Sequence, residues 1–133
     1  MPLTSAETAD RGTLMQLAQK LIDSSTSDRE QAAAQALNEE ETILAHTSVL
    51  RGLGLLDQRG LSDVRWEGLA GRVYSLGLDD EQRAFLGLVL SMVGIGHVTL
   101  AAVADLGEQR LAIMLRAILA LSGNDTIAVG TRV

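Results

Sequence analysis

Apolar residues recur at helical spacing along most of this chain. Leu14, Leu17, Ala18, Leu21 and Ile22 fall on one side when successive residues are turned by about 100°, and they predict a first helix over 4–23. Ala33, Ala36, Leu37, Ile43, Leu44 and Leu50 share a face in the same way and predict a long second helix over 28–56. Glu40, Thr47 and Arg51 lie in the middle of that stripe. Trp66, Leu69, Ala70, Val73 and Leu76 predict a third helix over 62–76, with Arg65 and Arg72 on its opposite side. Beyond Asp105 a last helix carries Leu111, Met114, Leu115, Ile118 and Leu121.

Helix ends carry their own signals. Thr4 with Glu7 and Ser27 with Glu30 have capping-box spacing, and Asp79 with Gln82 repeats it in weaker form. Ser62-Asp63 offers a plain N-cap, while Gly60 and Gly123 are natural stops. Asp80 and Glu81 suit the positive end of a helix dipole.

Residues 84–104 break the alternation. They form a run of 21 positions with no charged side chain apart from a protonated His97. As one helix the run would reach about 31 Å, the thickness of a bilayer's hydrocarbon layer. Two features favour a buried helix instead. No Trp or Tyr anchors either end, and Gly94-Ile95-Gly96-His97 divides the run into pieces of ordinary length. The amphipathic helices around it also need an apolar partner, which a nearly uncharged helix supplies. The expectation is an all-α fold: a compact bundle of four to six helices around a central, nearly uncharged helix near 85–95. Residues 124–133 would follow as a short strand or arm. The whole chain, 1–133, reads as one helical domain. Residues 1–78 supply acidic amphipathic helices, 79–123 an apolar helical pair and 124–133 the tail.

Composition narrows the chemistry. Among 133 residues, 11 are basic and 17 acidic, a net charge of −6. That balance repels a phosphate backbone and points away from nucleic acid. The punctuation over 50–76 resembles a helix–turn–helix, but Asp63 and Glu67 accompany Arg65 and Arg72 there. The excess acid lies before residue 84; after it, Arg110, Arg116 and Arg132 balance Asp105, Glu108 and Asp125. Three aromatics, Trp66, Tyr74 and Phe85, are too few for a base-stacking surface. With no Cys there is no disulfide, zinc–thiolate site or thiol nucleophile. The first residues lack a basic stretch followed by an apolar run, so a cytoplasmic location is expected.

Four features remain as candidate chemistry. Glu40, a carboxylate in an apolar stripe, is a general acid or base, the partner of an Arg from another helix, or a side chain exposed at the helix's open end. His46 and His97 are the only histidines, and neither follows a Glu by three residues, so no metal or cofactor is expected. Glu39-Glu40-Glu41 reads as a solvated acidic turn, since neighbours on a helix point apart. Arg65 and Arg72 read as a solvated face.

No catalytic constellation emerges, and the expected role is protein–protein interaction: a non-catalytic assembly subunit acting as a helical oligomer. Four amphipathic helices from so short a chain do not surround a fully apolar one, and partner subunits would complete the cover. The expected interface is Phe85, Leu88, Met92, Ile95, Leu111, Leu115 and Ile118. A membrane-associated protein using 84–104 as a span, or a small helical enzyme or ligand carrier centred on Glu40, are the alternatives.

Overall fold

Five α-helices and three short 3-10 turns make up the regular structure of the computed structural model, which describes residues 11–56, 64–96, 98–130 and 132. The helices are α1 (Arg11–Asp23), α2 (Asp28–Glu40), α3 (Thr47–Leu53), α4 (Asp80–Val93) and α5 (Glu108–Ser122). Among the described residues there is no β-strand, and the chain is an all-α bundle. The capping signals at Thr4 and Glu7, the turn at Gly60 and Ser62-Asp63, and His97 lie outside the described residues.

Helix α2 begins where Ser27 accepts the Glu30 N–H at 3.2 Å. The box is one-sided, because the Glu30 carboxylate turns to Thr26 instead. The weaker signal at α4 is the complete one. Asp79 accepts the Gln82 N–H at 2.8 Å, and Gln82 accepts the Asp79 N–H at 3.0 Å. Gly94, Gly54 and Gly123 close α4, α3 and α5 in left-handed conformations that only glycine adopts without strain.

Two helices sit at the centre. α4 buries Phe85, Leu86, Val89 and Leu90 almost completely, as its uncharged sequence demands. α2 is also enclosed along its apolar side, while Asp28, Arg29, Gln35, Asn38 and Glu39 stay exposed. Ala32, Ala33, Ala34, Ala36 and Leu37 are all buried, and α1, α4 and α5 pack against α2. Alanine's small side chain lets three helices approach one axis closely, so α2 is interior although both its ends are charged.

Three elements differ from the periodicity. The helix expected over 28–56 stops at Glu40, and Glu41 turns the chain with φ 70°, the only non-glycine positive φ among the described residues. No basic residue lies in the last turn of α2 to offset its dipole. Ending the helix there lets the Glu40 carboxylate take the Ile43 N–H at 2.7 Å. The helix expected over 62–76 is replaced by 3-10 turns at Trp66–Gly68 and Val73–Ser75. Gly71 at φ +76° and Gly77 at φ +82° end them. Trp66, Leu69 and Leu76 remain buried, because a three-residue turn also brings i and i+3 to one side. Gly68 is required by contact: a Cβ there would overlap the Gly52 carbonyl oxygen.

The run 84–104 is not one helix. α4 ends at Val93, and the next helical element is a 3-10 turn at Leu100–Asp105. Among the described residues no helix is long and apolar enough to cross a membrane. The tail 124–130 forms no strand and is mostly exposed.

Candidate functional site

The polar centre of the molecule lies where the C-terminal end of α2 meets the first turns of α4 and α5. Glu40 occupies it with a side chain 1% exposed. Its Oε1 accepts the Ile43 N–H, and its Oε2 accepts the Thr42 hydroxyl and the Arg110 Nε–H, the last at 2.9 Å. Arg110 Nη2 stands 2.8 Å from the same oxygen. The guanidinium also reaches Glu81, with Nη1 3.0 Å from Oε2. That oxygen accepts the Gly107 N–H at 2.8 Å as well.

Thr42 and Gln82 close the network. The Thr42 hydroxyl donates to Glu40 and accepts from Gln82 Nε2 at 3.0 Å and Arg110 Nη2 at 3.2 Å. A hydroxyl has one proton and two lone pairs, so Thr42 is saturated. Gln82 spends its amide oxygen on the cap of α4 and its amide nitrogen on Thr42. No buried side-chain nitrogen or oxygen among the described residues lacks a partner.

Electrostatics explain why the three groups stay together. Glu40 lies at the negative end of α2 and Arg110 in the first turn of α5, where each opposes the local helix dipole. Their mutual pairing offsets both. Burial works against the Arg110 charge, but its hydrogen bonds to Glu81 and Glu40 outweigh that and raise its affinity for the proton. The Gly107 N–H and then Arg110 hold the Glu81 carboxyl below the usual carboxylate range.

The acidic triple divides: Glu40 is buried, while Glu39 and Glu41 stay exposed to solvent as the sequence suggested, each beside an arginine at the surface. Glu39 meets Arg116 of α5 at 2.9 Å, Glu40 meets Arg110 of α5, and Glu41 meets Arg11 of α1 at 3.4 Å. Diverging directions on the helix send each carboxylate to a different arginine. Among the described residues no group of His, Asp and Glu is arranged to hold a metal ion. His46 precedes α3 and is half-buried without a side-chain cap bond. Arg65 and Arg72 are exposed beside the 3-10 turns, and the recognition helix of a helix–turn–helix is not formed there.

Glu40 has the environment of a structural carboxylate. Both oxygens are occupied, and its neighbours are a hydroxyl, an amide and a guanidinium, none of them suited to relay a proton at neutral pH. The arginine partner was one of the readings open in the sequence. Which arginine was not legible: Arg110 lies on the same side of α5 as the buried Ile113, Met114 and Ala117, a side that the sequence stripe of Leu111, Leu115 and Ile118 did not mark as inner. Thr42, Glu81 and Gln82 gave no signal either, because their roles depend on where α4 docks.

The expected interface residues separate into two groups. Phe85, Leu88 and Met92 lie in the chain's own core, at 0%, 9% and 8% exposure, and so present no surface to a partner. Ile95 and Leu111 are half-buried. Leu115 and Ile118 are open to solvent. Matched against protein-family models, curated proteins and solved structures, the chain finds no counterpart in any of the three.

Proposed function

We propose that this chain is a non-catalytic assembly subunit of the cytoplasm that associates with copies of itself through the outer face of α5. The observation that supports the reading is the composition of that helix. Its inner side, with Ile113, Met114 and Ala117, packs on α2. On the other side Leu111, Leu115 and Ile118 recur at spacings of four and three, with Leu115 41% and Ile118 42% exposed. A helix that is apolar on both sides is stable in water when something covers the second side. Two copies with their α5 helices side by side provide that cover by one self-complementary contact, the commonest arrangement of soluble oligomers.

The experiment is sedimentation of the purified chain over a range of micromolar concentrations, beside the double variant Leu115→Glu/Ile118→Lys. The expected result is a dimer or larger assembly for the natural chain and a folded monomer of unchanged helix content for the variant. A natural chain that sediments as a monomer throughout removes the proposal.

A further inference from the structure

Residues 98–106 are fastened to the bundle differently from the rest of the chain. They lie across α4 as the 3-10 turn Leu100–Asp105 and its flanks. None of them is buried. Val98, Ala102, Val103 and Leu106 rest half-buried on the core, and Leu100 is 74% exposed. Their hydrogen bonds close on themselves: the Ala102 N–H donates to the Thr99 carbonyl at 3.0 Å, and the Leu106 N–H to the Val103 carbonyl at 3.1 Å. Among the described residues, no hydrogen bond or ion pair runs from 98–106 to another element.

The other irregular stretch is anchored by contrast. Residues 64–78 bury Trp66, Leu69, Leu76 and Leu78. The Arg65 N–H donates to the Leu53 carbonyl at 2.8 Å, and the Ser48 hydroxyl donates to the Leu76 carbonyl at 2.6 Å.

Two contacts hold 98–106 at its ends. Val98 sits in a notch of α4 that exists because residue 87 is glycine. A Cβ there would stand 2.5 Å from Val98 Cγ2, 3.4 Å from its Cβ and 3.7 Å from its Cγ1. Rotating a stiff β-branched side chain exchanges one methyl for another, so the fit depends on the notch. At the other end the Gly107 N–H donates to Glu81 Oε2 at 2.8 Å, the oxygen that also faces Arg110 Nη1. Gly96, at φ +85°, precedes the stretch and Gly107 follows it. Neither has a side chain that a change of direction would strain.

We infer that residues 98–106 are a strap that lifts off α4 as one unit, between Gly96 and Gly107, while the helices stay packed. Segments with few buried side chains and few hydrogen bonds to their surroundings are the first parts of a fold to open. Lifting takes Val98 out of its notch and Gly107 from Glu81. It leaves the Glu40–Arg110 pair, and with it the docking of α5 on α2, intact. Val98, Ala102 and Asp105 also form one wall of an open groove of about 700 Å³ whose other wall is the 70–74 stretch. The strap therefore sets the width of that groove and the cover over Gly87.

The test is native-state hydrogen exchange of the full chain at one protein concentration, in the regime where the rate reads the opening equilibrium. Relative to their intrinsic rates, the Ala102, Leu106 and Gly107 amides exchange together. They do so at least about a hundredfold faster than those of Phe85, Val89 and Leu90 in α4, and without the urea dependence of global unfolding. Gly87→Ala pries the strap up and speeds its three amides by about tenfold, while the better helix former keeps the α4 amides within about threefold of the natural chain. Val98→Ala loosens the strap without a clash and makes room for the added methyl, so in that background Gly87→Ala changes the three amides by less than about threefold. Strap amides that exchange with those of α4 overturn the inference. So does a Gly87→Ala chain that leaves them unchanged or moves α4 equally, and so does a Gly87→Ala effect that persists in full beside Val98→Ala.

Discussion

Replacing Arg110 with Met isolates the force that holds the polar centre. The substitution keeps the side chain's apolar length and removes the guanidinium. Glu40 is then a carboxylate with 1% side-chain exposure and no cation. Removing one member of a buried pair costs about 3–5 kcal/mol. Two features place this site below that range. Glu40 keeps the Ile43 N–H and the Thr42 hydroxyl, and the Arg110 side chain is 20% exposed, so water enters where it stood. The expected loss is about 2–3 kcal/mol. For a chain of this length it lowers the melting temperature by about 7–11 °C. Adding Glu40→Leu to Arg110→Met removes the stranded charge. It leaves only the Ile43 and Thr42 donors unpaired, each worth about 1 kcal/mol, so the double variant is more stable than Arg110→Met alone. The assay is thermal unfolding followed by helical circular dichroism at one fixed protein concentration, since association shifts the midpoint. An Arg110→Met chain that melts within about 2 °C of the natural one, or a double variant destabilised by the sum of the two singles, refutes the reasoning.

Three further outcomes follow from the same coordinates. The folded Glu81 carboxyl titrates below its unfolded value, so its contribution is present above the unfolded value and is lost as pH falls through the folded one; Glu81→Gln is expected to flatten the acid limb of a stability–pH curve below about pH 4.5, and an unchanged limb contradicts this. Gly68→Ala forces a methyl group onto the Gly52 carbonyl and costs about 1–3 kcal/mol in urea unfolding, whereas Gly130→Ala, with open space around it, leaves stability within about 0.5 kcal/mol. Phe85→Ala empties the largest fully buried side chain of α4 and lowers stability by about 3–5 kcal/mol; a loss under about 1 kcal/mol would show that the core around α4 is not closed.

The local sequence by itself determined the helical character of this chain, the capped starts of α2 and α4, the glycine stop of α5 and the burial of the uncharged stretch in α4. Each of these follows from side chains within a turn or two of one another: a cap oxygen three residues from its N–H, a glycine free to turn left-handed, a stripe repeating with the helix. Tertiary structure decided the rest. Apolar periodicity over 28–56 is the same whether the chain is one helix or two, and the break at Glu40 is settled by Arg110, 70 residues away. The 66–76 segment keeps its buried side while giving up its helix at the left-handed Gly71, and only the packed structure shows that Gly68 lies against the Gly52 backbone. Which apolar residues reach water was equally non-local. Phe85 and Leu115 are alike in the pattern, yet one is enclosed and the other exposed, because the docking of α5 on α2 leaves its outer face uncovered. Periodicity measures whether a side can be buried, and only the arrangement of the other helices determines what lies against it.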